Sequence, residues 1–95
     1  MDEREKMARM NAWVDSLCEA YSLSRDEAGA VIPGMLQMSH DVAHGPARPG
    51  VPVTAFLLGF VAGRSGKDIP EAADEVLSQL QPLLDPYRNA DGVIE

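Results

Sequence analysis

The 95-residue sequence lacks most of the local patterns that mark large enzyme classes. Its single cysteine, Cys18, excludes an intramolecular disulfide and any zinc site that takes two cysteines from one chain. Neither G-x-G-x-x-G nor G-x-x-x-x-G-K-[ST] occurs, so no Rossmann or P-loop nucleotide site is expected. G-x-S-x-G is missing as well, which leaves a serine hydrolase poorly supported. We therefore expect a non-catalytic protein, and the lone cysteine favours a reducing compartment such as the cytoplasm.

Basic residues and long apolar runs are also scarce. Lys and Arg number 8 against 15 Asp and Glu, so the formal net charge is -7 and the isoelectric point lies near 4.6. This charge has the wrong sign for binding a nucleic-acid backbone. The most apolar stretch, residues 51–63, is shorter than the roughly 20 residues of a membrane-spanning helix, and the charged N-terminus does not resemble a signal peptide. We expect no nucleic-acid partner and no membrane partner.

The spacing of apolar residues predicts an all-α fold. The first helix, over residues 2–21, has its apolar residues on one face, and a capping box formed by Ser24 and Glu27 begins the second. Pro33 predicts either two helices, 24–32 and 33–44, or one helix kinked at the proline, and two helices are favoured. Gly45 and the proline after it are expected to end that pattern and to begin a rigid, turn-rich connection over residues 45–50.

The second half of the chain is expected to contain a central helix and a final one. The helix from Pro52 to about Ser65 is apolar nearly all round, which is typical of a buried position. Small residues recur in it every four positions, so we expect another helix to approach closely; they are Ala55, Gly59 and Gly63. Asp68 should cap the last helix, with Pro82 and Pro86 ending it and a loose tail over residues 87–95. Together these helices predict one domain over residues 1–95, a compact bundle of four to five helices.

Two histidines four residues apart form the first candidate site. On a helix, His40 and His44 share a face and could hold a metal ion, with Asp41 between them. The arrangement is similar to the H-E-x-x-H zinc motif, but no third ligand stands at a motif spacing. The alternative is that His40 is exposed, Asp41 is a surface acid and His44 complements a helix C-terminus.

A local positive zone forms the second candidate site. Residues 42–67 contain no acid but include Arg48, Arg64 and Lys67. Arg48 precedes the helix that starts near Thr54, where free backbone N–H groups could bind a phosphate or carboxylate. The alternative is that Arg64 and Lys67 complement a helix C-terminus and that Arg48 pairs with an acid such as Asp41.

Uncovered apolar surface is a third feature. Methionines on the first two helices fill cores but also suit adaptable partner surfaces. A small bundle with a nearly all-apolar helix can leave hydrophobic surface that a homodimer or another protein would cover. A protein partner or a homo-oligomer is therefore expected.

The block HDVAHGPARPGVPVTAFLLGFVAGR, residues 40–64, resembles a small actinobacterial domain family of unknown function. Its members share a D-V-A-H segment, an R-P turn and an apolar F-L-x-G helix, and Trp13 is similar to their early tryptophan. The residues that carry the resemblance are Asp41, Val42, Ala43, His44, Arg48, Pro49, Pro52, Thr54, Phe56, Leu57 and Gly59.

Members of that family look like companions of molybdenum-cofactor guanylyltransferases. The resemblance therefore implies a role near the synthesis of molybdopterin guanine dinucleotide, and we expect no cofactor in this chain itself. The chain lacks the glycine-rich loop and the α/β pattern of the transferase. The leading hypothesis is a non-catalytic interaction module, with His44 and Arg48 facing the partner. The other hypothesis is a small anion or metal site that uses His40, Asp41, His44 and Arg48.

Overall fold

A computed structural model describes the backbone of residues 1–94 and the side chains through Arg88. The described backbone contains no strand and confirms the predicted all-α bundle. The bundle is compact and flat, with extents of 45 × 38 × 18 Å, the thickness of about two helix layers. Its elements are α1 (Glu3–Tyr21), α2 (Arg25–Val42), a π-helical turn (Ala43–Ala47), α3 (Gly50–Arg64) and α4 (Ile69–Ile94).

Side-chain caps define where three of the helices begin. The carboxylate of Asp2 accepts a hydrogen bond from the Glu5 N–H at 2.8 Å, at the start of α1. The Ser24 hydroxyl accepts from the Glu27 N–H at 3.2 Å, as the capping box predicts. Asp68 caps α4 in the same way, at 2.9 Å from the N–H of its third following residue. Each cap satisfies a backbone donor that has no partner inside its helix.

The prolines do not interrupt the helices as predicted. The favoured division at Pro33 is wrong, and the alternative of one helix is correct, because α2 continues through the proline to Val42. The end predicted at Pro82 and Pro86 is wrong because α4 continues to Ile94. A proline inside a helix costs about 3 kcal/mol, and the packing between α2 and α4 offsets that local cost. The predicted loose tail over 87–95 stays a prediction, since the side chains after Arg88 and all of Glu95 lie outside the described residues.

The predicted helix stop and turn-rich connection after His44 are also corrected. The backbone stays helical there, and the π-helical turn Ala43–Ala47 leads almost directly into α3. A Cβ atom at Gly45 would lie 3.4 Å from the Cβ of Tyr87, so the missing side chain lets the turn approach α4. Contact with α4 thus favours a continued helical path over an open turn.

The hydrophobic core lies between α2 and α4. The buried residues at its centre are Met38, Val42 and Leu84, each 3% exposed or less. A Cβ at Gly34 would come within 2.8 Å of the Leu77 side chain, so the glycine allows the two helices to pack closely. The partly buried residues packed around this centre are Met35, Val51, Ala55, Leu58, Leu77 and Leu80.

The first helix packs on one neighbour only. Within the described chain, α1 contacts α2 and no other helix. The guanidinium of Arg25 joins the two by donating to Asn11 Oδ1 at 2.9 Å and to the carboxylate of Asp15. Cys18 is the residue of α1 that is buried. The side of α1 that points away from α2 is therefore not covered by any described helix.

Candidate interaction surface

The helix α3 is the most exposed apolar element of the structure, contrary to its predicted central position. It has no buried residue, and Phe56 is 74% and Phe60 59% exposed. One side of α3 packs on α2 and α4, and no described element covers the other side. We call the exposed set the α3 face; it consists of Val53, Phe56, Leu57, Phe60 and Val61.

An apolar groove lies on the side of α3 that faces α2 and α4, opposite the α3 face. It has a volume of about 300 Å³ and runs between α3 and the adjoining sides of α2 and α4. Its walls are almost entirely aliphatic, and Lys67 is the charged residue of its lining in the described part of the chain. We call it the α3 groove; its walls include Val31, Met35, Ala55, Gly59, Gly63, Ala72 and Val76.

The stripe of small residues on α3 lines this groove. A Cβ atom added at Gly59 or Gly63 would meet no atom within 4 Å. The close helix approach predicted from the four-residue spacing is therefore not made by any helix of the described chain. The stripe instead keeps the groove open along one side of α3.

Positively charged side chains lie near both ends of α3. Arg48 lies exposed at the end of the π-helical turn, before α3, and Arg64 lies exposed in the last turn of the helix. The Arg64 guanidinium carbon is 5.0 Å from the centre of the Phe60 ring, a cation–π geometry. The hydrogen bond that Lys67 donates to Glu75, and the charge of that carboxylate, raise the pKa of Lys67 above 10.5. Lys67 thus forms an ion pair with Glu75, whereas the two arginines face solvent.

The histidine segment is brought together as its spacing predicts. The rings of His40 and His44 stack with centroids 4.3 Å apart, and both residues are exposed. Asp41 is half-buried and turns toward α4, where its Oδ2 lies 3.5 Å from Arg88 Nη2. Gln37 Nε2 donates to the other oxygen of Asp41 at 2.9 Å. No group of three potential metal ligands forms among the described residues.

Arg48 and Thr54 of the predicted anion site lie near the start of α3, whereas Arg64 of the positive zone lies at its other end. Thr54 is half-buried in the first turns of α3, and Arg48 and Arg64 are separated by about 24 Å of helix rise. The Val51 N–H already donates to the Arg48 carbonyl at 3.1 Å. The structure therefore places Arg48 and Arg64 at opposite ends of the α3 face.

A protein-family model described as "Domain of unknown function (DUF6457)" matches residues 5–92. The chain belongs to the DUF6457 family. No curated protein and no solved structure matches it. Since the matched range begins in α1 and ends in α4, all four helices belong to the DUF6457 domain.

The α3 face of this DUF6457 domain was not among the residues predicted as a site. The signal for it in the sequence was the nearly all-round apolar character of this helix. That pattern was interpreted as typical of a buried helix, and the uncovered hydrophobic surface expected from it was not assigned to particular residues. No helix within residues 1–94 of the DUF6457 domain is long and apolar enough to cross a membrane.

Proposed function

We propose that the protein is a non-catalytic interaction module that binds a partner protein through the α3 face. The observation that carries this proposal is the exposure of α3, which has no buried residue and presents two phenylalanines to solvent. Contiguous exposed apolar patches of more than a few hundred Å² are rare on monomeric proteins and mark interaction sites. Aromatic anchors next to an arginine are typical of binding hot spots.

The resemblance of residues 40–64 suggests which partner to test. That resemblance implies a companion of molybdenum-cofactor guanylyltransferases, so we propose such an enzyme as the partner. The protein would assist guanylyl transfer in the cytoplasm, and its link to molybdopterin guanine dinucleotide would be indirect. A homodimer through the same face is the alternative occupant.

Binding between the purified proteins tests this proposal. We expect the wild-type protein to bind the guanylyltransferase and the Phe56→Ser/Phe60→Ser variant to lose binding by tenfold or more, on the order of a hot-spot loss. Leu83→Ser is the matched control, because Leu83 is 68% exposed on α4 and lies outside the groove lining. Equal binding by all three proteins, or no binding by the wild type, would contradict the proposal.

The histidine segment supports a second candidate function, a small anion or metal site. The observation that favours this function is the stacked, exposed pair of His40 and His44. Two imidazoles four residues apart on a helix can chelate a transition metal. Asp41 and Arg48 would complete the segment. In calorimetric titrations with Zn²⁺ and with phosphate, His44→Ala should abolish uptake and keep the helical circular dichroism. A variant that instead unfolds would show that the histidine is structural.

A further inference from the structure

We infer that the α3 face enters an apolar groove on the partner protein, and that the rim of that groove carries a carboxylate that pairs with Arg64. The inference rests on the proposed function and names the shape and the charge of the partner surface. It follows from the spacing and exposure of the apolar side chains of α3, and from the position of Arg64 beside them.

The apolar side chains of the α3 face have the spacing of a helix that binds in a groove. Helices that are recognised in this way present anchors at positions i, i+3, i+4 and i+7 of one face. Counted from the first of them, these positions in α3 are Val53, Phe56, Leu57 and Phe60. Each of these side chains is largely exposed, so α3 presents the full set to solvent over about 10 Å, or roughly two turns.

These side chains project from the surface of the protein. Phe56 is 74% exposed and Phe60 is 59% exposed, so little of either ring is covered by its neighbours. A flat partner surface would cover the tip of a projecting ring and leave its sides in water. A groove surrounds the ring and removes more apolar area from water, and binding hot spots typically lie in such desolvated pockets. The exposure of the two rings therefore favours a partner that is concave.

Arg64 lies at one end of this set and on the same side of α3. Its guanidinium carbon is 5.0 Å from the centre of the Phe60 ring. Arg64 is exposed and forms no ion pair with any side chain of residues 1–88. A partner that covers Phe60 also removes water from this guanidinium, and burying a charge without a counter-charge is costly. A carboxylate on the rim of the partner groove would satisfy it.

The sequence around this cation contains no acid. Residues 42–67 include neither Asp nor Glu, and α4, which begins at the acidic cap Asp68, packs against the opposite side of α3. The net charge of -7 does not strongly oppose an acidic partner, because salt at physiological concentration screens charges beyond about 8 Å. The charge that a partner meets at this end of the α3 face is therefore the positive charge of Arg64.

A second copy of this chain would not supply the carboxylate through the same face. In an antiparallel pair, each Arg64 would lie beside the start of the other α3, which carries the positive end of the helix dipole and has no acid nearby in sequence. In a parallel pair, the two Arg64 side chains would repel each other. A lipid surface is disfavoured as well, because helices that bind lipids carry several cations and Arg64 is the single charged residue of α3.

Binding of the full-length protein to the purified molybdenum-cofactor guanylyltransferase tests the charge. Arg64→Glu should weaken binding by about tenfold at low salt, and this loss should shrink as the ionic strength rises toward about 0.5 M. Arg9→Glu is the matched control, because it makes the same charge change at an exposed position of α1, which contacts α2 and no other described helix. The control should bind within about twofold of the wild type.

Cross-linking in the same complex identifies the surface that receives α3. A carbodiimide condenses an amine with a carboxylate, so in Arg64→Lys the amine at position 64 should form an amide with an Asp or Glu of the partner. A photoreactive phenylalanine analogue in place of Phe56 should join apolar partner residues from two facing elements, as a groove requires. Mass spectrometry of the joined peptides maps both contacts. Leu57→Ser should weaken binding by about tenfold, whereas Leu83→Ser should bind like the wild type.

Three results would overturn the inference and leave the proposed function intact, provided that Phe56→Ser/Phe60→Ser still loses the guanylyltransferase. They are equal binding by Arg64→Glu and Arg9→Glu, no amide to a partner carboxylate at position 64, and photo-cross-links to one flat element only. No binding by the wild type would contradict both proposals together. A dimer in native mass spectrometry, or binding of phosphatidylglycerol vesicles, that Phe56→Ser/Phe60→Ser abolishes would identify a different occupant and would also overturn the inference.

Discussion

The Nη2 atom of Arg88 lies 3.5 Å from the Oδ2 atom of Asp41 and ties α4 to the end of α2. Arg88 also pairs with Asp85, whose side chain is 64% exposed, whereas the Asp41 side chain is only 17% exposed. The pair with Asp41 is therefore better shielded from solvent than the pair with Asp85. We expect Asp41→Ala to lower the free energy of unfolding by about 1 kcal/mol and Asp85→Ala by under about 0.5 kcal/mol. Urea unfolding of both variants measures the difference; equal losses would show that the Asp41 contact adds nothing.

Two glycines should respond to the same substitution with opposite signs. Gly59→Ala should raise the free energy of unfolding by about 0.5–1 kcal/mol, because alanine is the better helix former and its methyl group meets no atom within 4 Å. Gly66 has a φ of 76°, so Gly66→Ala should lower the free energy of unfolding by about 1 kcal/mol. Urea midpoints that shift in the same direction for both variants would contradict these backbone conformations.

Arg25 should control how firmly α1 is held. Its guanidinium bonds to Asn11 and Asp15, and α1 contacts no other described helix. In Arg25→Ala, hydrogen exchange of the α1 amides should accelerate severalfold while exchange in α2 and α4 stays close to wild type. Arg9→Ala, an exposed change within α1, is the control for lost charge. Uniform acceleration throughout the chain would mean that α1 does not open independently.

The pair of Lys67 and Glu75 should make stability depend on alkaline pH. The carboxylate raises the pKa of Lys67 above 10.5 in the folded state, so the pair stabilises the fold fully below that pH. This contribution should disappear as the pH rises through the folded-state pKa. The stability difference between wild type and Lys67→Gln should therefore shrink in urea titrations above about pH 10. A difference that stays constant, or a Glu75→Gln variant that keeps the same dependence, would exclude the pair as its cause.

Helix starts could be predicted from the sequence because they depend on local bonds. Ser24 and Asp68 accept hydrogen bonds from backbone groups three residues ahead, so the residue type and spacing suffice. Helix interruptions could not be predicted in this way. Pro33 and Pro82 each destabilise their helix locally, but the packing between α2 and α4 offsets this cost. Those contacts join residues that are far apart in sequence.

The candidate site was predictable to a similar extent. The stacking of His40 and His44 follows from their four-residue spacing on one helix. The contact between Asp41 and Arg88 depends on how α2 and α4 pack, which no local pattern specifies. The exposure of α3 has the same origin: an apolar helix is buried only if other elements cover it, and the described chain has none for that side.

The free energy of unfolding of Phe56→Ser/Phe60→Ser tests most directly whether the α3 face exists for binding rather than for folding. Both rings are largely exposed, and serine and phenylalanine have similar helix propensities. We predict a change within about 1 kcal/mol of wild type, whereas Leu84→Ala in the core should cost about 2–5 kcal/mol. A loss in the double variant as large as that of Leu84→Ala would show that the phenylalanines belong to a core and would contradict the account.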